Sequence, residues 1–305
     1  MLPARGAAAT LFAQLTVAVI ATLFFLHGVR LAPAALRAGL GHWRLQLLIL
    51  GCTFALYPLL GVLLALSVPR WLPPPLWTGL LFVCVLPSTV QSSIAFTAMA
   101  GGNVAAALCA ATASNLSGTL LTPALTALVL RTHGQSVSLG QVGQIVSQLL
   151  VPFALGQLAR PWLSGWASRH RALLGFTDRS SILLVVYTAF SAAVTGGLWH
   201  QLSLATLAAL VLLEALLLVL VLLIAHHASR AAGLGRADAF AVLFCGSKKS
   251  LATGVPMANV LFAGPAVGIT ILPLMIFHQL QLLLASQIAV RAARDQSLSS
   301  QPASS

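Results

Sequence analysis

Long apolar runs are the feature that most restricts how this chain can fold. Nine stretches of about 20 apolar residues follow one another with short gaps, and an α-helix needs about 20 residues to cross a bilayer. Only 7% of the 305 residues are charged and 59% are hydrophobic, which excludes a water-soluble globular domain. The sequence predicts an all-α polytopic membrane protein. Its predicted spans are residues 10–29, 45–68, 76–100, 103–130, 141–160, 180–198, 203–226, 237–262 and 265–289.

The net charge of +12 is distributed through the gaps between these stretches. The basic residues form no continuous run and are not interleaved with aromatic residues, so the chain is not expected to bind nucleic acid. If the gap at 101–102 faces the cytoplasm, eleven arginines lie on that side of the membrane and three on the other. This positive-inside bias predicts a multi-pass protein of the cell (inner) membrane, with a cytoplasmic, polar and unstructured tail at 291–305.

The first span is not expected to be a cleaved signal peptide. It is long for the apolar core of one, and Arg30 precedes any cleavage site of small residues. Nine spans with a cytoplasmic C-terminus place the N-terminus outside, so we expect that a first helix is missing.

The four cysteines lie inside apolar stretches without metal-ligand spacing, which predicts free thiols and no metal site.

Polar residues interrupt two of the apolar spans. The first interruption is PSTVQSS, from Pro87 to Ser93, and proline breaks a helix because it lacks a backbone donor and clashes with the preceding turn. The second is GSKKS, from Gly246 to Ser250. In both halves a short link and one long helix follow the interrupted span. Two interrupted spans at matching positions indicate a secondary transporter with repeated halves.

A five-helix repeat has an odd number of spans, so its second copy is inverted in the membrane. We predict a single transporter domain over 1–290, with repeat one at 8–130 and repeat two at 141–290. Repeat one lacks its first helix. The two broken helices are expected to cross near the centre of the domain and to form the binding site.

Buried ionisable residues are the strongest site candidates. Lys248 and Lys249 are the only lysines, and each costs ~2.5–3.5 kcal/mol at the centre of a membrane helix. They either attract an anion or carry a proton, or they are bound structurally to backbone carbonyls. Glu214 is expected to pair with a lysine or to bind a proton, or else to face the bundle in its neutral form. The full set of candidate substrate- or ion-binding residues is Ser88, Thr89, Gln91, Ser92, Ser93, Asn103, Asn115, Glu214, Ser247, Lys248, Lys249, Ser250, Thr253, His278 and Gln279.

The segments Pro87–Pro123 and Phe244–Ala258 resemble the bile acid:sodium symporter superfamily. They are most similar to its SBF-like branch, which includes the bacterial YfeH-type proteins and the seventh human member. Phe24–Gly28 and Pro273–Gln281 also resemble that branch. The resemblance implies a ten-helix inverted repeat in which a core domain slides against a panel domain. It also implies an organic-anion site between the crossed broken helices, and symport with sodium.

The sequence departs from the sodium-coupled members of that family at the second break. Those members carry a glutamate where this chain has Phe244, and a Gln-Asn pair where it has Lys248-Lys249. Their Ser-Asn pair at the first break is Ser93-Ile94 here. Ammonium groups repel Na⁺, and the carboxylate that would attract it is missing. The residues therefore favour proton coupling or uniport, although the family type is sodium symport.

Taken together, these features predict a secondary active transporter that moves a small organic anion by alternating access. An enzyme is disfavoured because the sequence contains no HExxH motif, nucleophile–base pair or paired intramembrane aspartates. A channel is disfavoured because nothing resembles a carbonyl-lined filter or a ring of charge. A non-transporting scaffold or regulator of ion (Ca²⁺) homeostasis stays an alternative. The expected partners are the anion and the lipid bilayer, no cofactor beyond Na⁺ or H⁺ is expected, and a homodimer is left open.

Overall fold

Helices make up the fold. The computed structural model describes residue 4 and residues 7–30, 42–69, 71–131, 139–195, 202–262 and 267–299, and within these ranges it contains no strand. The helices there are α1 (Ala7–Arg30), α2 (Trp43–Ser67, with a π-helical turn at Cys52–Leu56), α3 (Pro74–Val85), α4 (Gln91–Met99), α5 (Val104–Arg131), α6 (Leu139–Arg169), α7 (Arg171–Thr195), α8 (Leu204–Ala231), α9 (Arg236–Ser247), α10 (Leu251–Leu261) and α11 (Val267–Ser299).

Each predicted span coincides with one of these helices or with a pair of them. The two interrupted spans are the pairs α3–α4 and α9–α10, whose members have 9 to 12 residues each and are individually too short to cross a bilayer. Five helices, α1, α2, α5, α8 and α11, are long and apolar enough to do so by length and composition. The prediction of an all-α polytopic membrane protein is confirmed.

The prediction of an unstructured tail from residue 291 onward was wrong. Helix α11 continues to Ser299, because its last turns pack against the rest of the protein. Ala292 is buried, and the Gln296 side-chain amide donates a hydrogen bond to the carbonyl oxygen of Ala100 at 2.8 Å. Residues 300–305 lie outside the described part of the chain.

The helices pack in two groups. Helix α1 packs mainly on α6 and also on α7, whereas α2–α5 and α8–α11 pack extensively on one another. The two groups touch where α7 packs on α10 and α11 and where α6 packs on α5. Facing glycines bring α1 and α6 together: a Cβ atom on Gly156 would overlap the carbonyl oxygen of Phe25, and one on Gly28 would overlap that of Phe153. Small residues at such contacts let membrane helices approach closely. In the larger group α3 is central, since every residue from Leu76 to Val85 is buried.

Candidate functional site

The two helix breaks lie against each other in the middle of the larger group. The chain between α3 and α4 is non-helical, and so are residues 248–250 between α9 and α10. Two hydrogen bonds join the breaks directly. The backbone N–H of Ser250 donates to the carbonyl oxygen of Pro87 at 2.9 Å, and the Ser88 hydroxyl donates to that of Cys245 at 2.6 Å. The predicted breaks and their meeting are confirmed.

Polar side chains satisfy other backbone groups that the breaks release. The Asn115 side-chain amide of α5 donates to the carbonyl oxygen of Ser88 at 2.8 Å, and the Thr253 hydroxyl donates to the Asn115 side-chain oxygen at 3.0 Å. The Ser93 hydroxyl donates to the carbonyl oxygen of Phe244 at 3.2 Å. Such pairing is required because an unpaired buried backbone group is costly. Asn115, Ser88, Ser93 and Thr253 therefore hold the crossing in place.

Lys249 is enclosed by backbone carbonyl groups. Its Nζ atom donates to the carbonyl oxygens of Thr53, Cys84 and Leu86, each at 2.8 Å. It also lies 4.2 Å from the centroid of the Tyr57 ring, and the side chain is 0% exposed. An ammonium group has three donors, so the three carbonyl groups satisfy it fully. We call these three carbonyl groups and the Tyr57 ring the Lys249 cage.

The π-helical turn of α2 forms one side of the Lys249 cage. It contains Thr53 and is followed directly by Tyr57, whose hydroxyl donates a hydrogen bond to the carbonyl oxygen of Ser247. Wider helical turns of this kind are frequent at functional sites. Sequence analysis missed Thr53 and Tyr57, because the run around them is apolar and carries no local signal for a bulge.

Gln281 fixes the backbone of Lys249. Its side-chain oxygen accepts a hydrogen bond from the Lys249 N–H at 2.7 Å, and its amide donates to the Lys249 carbonyl oxygen at 2.9 Å. The same amide nitrogen lies 2.9 Å from Nδ1 of His278. The sequence-predicted Gln279 is instead exposed, because successive residues of a helix point about 100° apart. Gln281 rather than Gln279 contacts Lys249, and the predicted binding role of Gln279 stays a prediction.

Lys248 has a separate set of neighbours. Its Nζ atom donates to the carbonyl oxygen of Ser92 at 3.0 Å. The same atom lies 3.9 Å from the centroid of the Phe96 ring and 5.3 Å from that of Phe244. Aromatic faces attract cations within about 6 Å. Phe244, which replaces the family's glutamate, thus contributes to a site for the ammonium group of Lys248.

Glu214 pairs with neither lysine. It is fully buried on α8, and neither of its carboxyl oxygens has a hydrogen-bond partner among the described residues. The predicted Glu214–lysine pair was therefore wrong: the Lys249 ammonium group donates to three backbone carbonyl groups, and that of Lys248 donates to the Ser92 carbonyl group. The alternative prediction, a proton site at Glu214, stays a prediction.

Asn103 lies away from the breaks. Its side-chain amide donates to Oδ1 of Asp238 at 2.8 Å, and its side-chain oxygen accepts from the Ala106 N–H at 3.0 Å. These contacts begin α5 and join the link before it to the start of α9. These observed contacts are structural, and the predicted binding role of Asn103 stays a prediction. The Ser247 hydroxyl donates within its own helix to the carbonyl oxygen of Leu243 at 2.6 Å.

A cavity of about 510 Å³ lies between the α1, α6 and α7 group and the two breaks. Its wall contains seven of the fifteen predicted site residues together with apolar and basic ones. Lys248 and Lys249 do not line it. The predicted residues on its wall are Thr89, Gln91, Ser92, Asn115, Ser250, Thr253 and His278, and those that sequence analysis missed include Phe24, His27, Arg30, Leu116, Phe153, Leu251 and Leu282.

Two discontinuous helices that cross beside a cavity are typical of secondary transporters with repeated halves. A model of the SBF-like CPA transporter family matches residues 1–294. The chain belongs to this family, as the resemblance of its motifs predicted.

Relatives of known name agree with this assignment. The chain is 51% identical over 292 residues to the putative symporter YfeH of Escherichia coli (strain K12), a match that covers 96% of this chain and 88% of the relative. It is 30% identical over 274 residues to sodium/bile acid cotransporter 7 of Rattus norvegicus, covering 88% and 79%. The protein is thus a multi-pass membrane protein of a transporter family.

Proposed function

We propose that this protein is a secondary active transporter of a small organic anion, that it works by alternating access, and that Lys249 and Lys248 act as built-in cations in place of coupling sodium ions. The observation that carries the proposal is the Lys249 cage. Three carbonyl oxygens at 2.8 Å from one atom are the kind of ligand set that a monovalent cation accepts. Here a covalently attached ammonium group occupies it.

A fixed cation changes how transport is coupled. Na⁺ placed about 4 Å from an ammonium group is opposed by about 4 kcal/mol at an effective dielectric constant of about 20. That energy corresponds to a roughly thousandfold loss of affinity. The glutamate that sodium-coupled family members carry is Phe244 in this chain, and its ring faces Lys248. We therefore propose proton-coupled transport or uniport rather than sodium symport. From the distribution of arginines we also propose that the C-terminus lies in the cytoplasm.

Ion replacement in proteoliposomes tests this proposal. Organic anions that raise the melting temperature of the purified protein are first selected by thermal shift. Uptake of each is then measured with Na⁺ and with choline at constant pH, and with and without an imposed pH gradient. We expect that replacing Na⁺ leaves uptake unchanged. Loss of uptake without Na⁺ contradicts the built-in cation, and binding without any flux favours the non-transporting regulator.

A further inference from the structure

Glu214 is a carboxyl group buried in apolar surroundings. It lies on the inner face of α8, where Leu210, Leu213, Leu217 and Leu218 are also buried. The residue is 0% exposed, and neither carboxyl oxygen has a hydrogen-bond partner in the described part of the chain. Burying an ionised carboxylate without a partner costs more than the whole stability of a typical folded protein. Glu214 therefore holds its proton in this conformation.

No charged side chain neutralises Glu214. Helix α8 packs on α2, α9 and α11, and none of the titratable side chains on those helices hydrogen-bonds to the carboxyl group. The charged and titratable residues of α8 itself begin at His226, about 18 Å further along the helix. The titratable residues of the three neighbouring helices are Arg44, Cys52, Tyr57, Arg236, Asp238, Cys245, His278, Arg291, Arg294 and Asp295.

Stability does not explain why a glutamate occupies this position. A neutral carboxyl group that is buried without a partner loses its hydrogen bonds to water, whereas a leucine of similar size would lose none. Ionisable residues inside membrane segments are costly, and they commonly mark proton relays or ion pathways. Reversible proton binding is the chemistry that a single carboxyl group offers here.

Cys84 connects Glu214 with the Lys249 cage. The carbonyl oxygen of Cys84 accepts a hydrogen bond from Nζ of Lys249 at 2.8 Å. The Cys84 thiol is close enough to both Glu214 and Lys249 for electrostatic interaction. The ammonium group of Lys249 is thus positioned to stabilise Glu214 when it is ionised. Loss of the Glu214 proton places a negative charge beside the Lys249 cage.

We infer that Glu214 is the proton-binding site of this transporter, and that the proton it binds and releases accompanies the anion. The inference rests on the proposed function and selects proton coupling over uniport. Release leaves a carboxylate and passes the proton to water. Since the carboxyl group is enclosed here, that exchange takes place in another conformation of the transport cycle. Proton and anion have opposite charges, so each favours binding of the other.

Infrared spectroscopy of the full-length protein in proteoliposomes tests the proton site without any flux measurement. The chain has only four acidic residues, so the carbonyl stretching band of a protonated carboxyl group can be assigned by single substitutions. We expect the wild type to show this band at neutral pH, the band to shift in D₂O, and Glu214→Gln to lose it. The matched control, Asp295→Asn, removes an exposed acid of α11 and is expected to keep the band.

Three infrared results overturn the inference. They are a wild type without the band, a band that is unchanged in Glu214→Gln, and a band that never shifts in D₂O, because its proton does not exchange with water.

Glu214→Leu separates a functional role from a structural one. Because leucine fits the apolar surroundings without burying a polar group, we expect a melting temperature equal to or above that of the wild type. If Glu214→Gln does not fold, Glu214→Leu replaces it in the infrared measurement. A clearly lower melting temperature for Glu214→Leu, or failure of both variants to fold, means that the carboxyl group serves packing and overturns the inference.

Uptake under an imposed pH gradient separates this inference from the transport proposal. The probes are the anions selected by thermal shift. Glu214→Gln is expected to lose the accumulation that the gradient drives and to keep the exchange of internal for external anion. Equal accumulation in Glu214→Gln, or wild-type flux that ignores the gradient, overturns the inference and leaves the transporter standing. A wild type without any flux contradicts the transport proposal, whereas the infrared band still decides whether Glu214 binds an exchangeable proton.

Discussion

Single residues at the helix crossing differ in how their burial is compensated. Lys249 and Lys248 are stabilised by carbonyl groups and aromatic rings, whereas Glu214 has no hydrogen-bond partner in the described chain. The carbonyl groups that bind Lys249 belong to α2, to α3 and to the residue directly after α3. One side chain therefore ties the second break to two elements of the first half. We expect this residue to be needed both for stability and for transport.

Replacing Lys249 with alanine tests its role as a built-in cation. The change leaves three buried carbonyl oxygens without a donor, at a cost of about 1–3 kcal/mol for each. We expect a clearly lower melting temperature and a loss of flux, with membrane insertion retained. Methylammonium is small enough to replace the missing ammonium group, so it is expected to restore part of the melting temperature in Lys249→Ala.

The wild type, whose cage is already filled, serves as the control and is expected to show no shift with methylammonium. A Lys249→Ala protein with normal melting temperature and normal flux contradicts the role of this lysine. Restoration by Na⁺ as well as methylammonium in the variant supports the interpretation that the cage is a general site for monovalent cations.

At the scale of elements, close helix packing shapes the cavity. Helix α1 carries Phe24 and Arg30 to the cavity, and it is held on α6 where Gly28 and Gly156 face carbonyl oxygens of the opposite helix. An added methyl group there has no space, because its nearest neighbour is backbone rather than a movable side chain. The position of α1, and with it that of Arg30, therefore depends on the absence of side chains at Gly28 and Gly156.

Gly156→Ala tests this dependence. The added methyl group forces α1 and α6 apart at a cost of about 1–3 kcal/mol, so we expect a lower melting temperature. Gly165→Ala on the same helix is the matched control, because a Cβ atom at Gly165 meets nothing within 4 Å. Equal melting temperatures for the two variants would contradict the close packing of α1 on α6.

The elements that could be predicted are those with local causes. Pro87 lacks a backbone donor, and the run at Lys248 puts polar residues in the middle of an apolar span, so both breaks were predicted from local signals in the sequence. The π-helical turn of α2 was not, since it places the carbonyl group of Thr53 against a lysine almost 200 residues away. The sequence did not distinguish Gln279 from Gln281, although Gln279 is exposed and Gln281 is buried against Lys249. In the sequence Arg30 looks like an ordinary arginine at the end of a membrane span. Its place on the cavity wall is apparent only in the structure, where α1 packs on α6.

At the scale of the molecule, the α1, α6 and α7 group lies on one side of the cavity of about 510 Å³, and the crossed breaks lie on the other together with α5 and α11. An adjoining second cavity, of about 500 Å³, is lined mostly by the α1, α6 and α7 group. The proposed alternating access requires these groups to move relative to each other, so that the cavities open to one side of the membrane at a time. The second cavity is lined by Arg160, Ser164 and Ser168 near the end of α6. The distribution of arginines predicts that this end faces the cytoplasm.

Cysteine labelling tests this orientation. Gln91 is exposed and lines both cavities, so Gln91→Cys is expected to react with a membrane-impermeant maleimide in inverted vesicles and to be protected from it in right-side-out vesicles. The background carries Cys109→Ala, because Cys109 is the one native cysteine that is not fully buried.

Leu216→Cys on α8 is the control. Leu216 is 44% exposed but belongs to an apolar helix surface, and a thiol facing lipid does not meet a water-soluble reagent. Labelling of Gln91→Cys only from the outside reverses the predicted orientation, and labelling from neither side means that the cavities are closed to water.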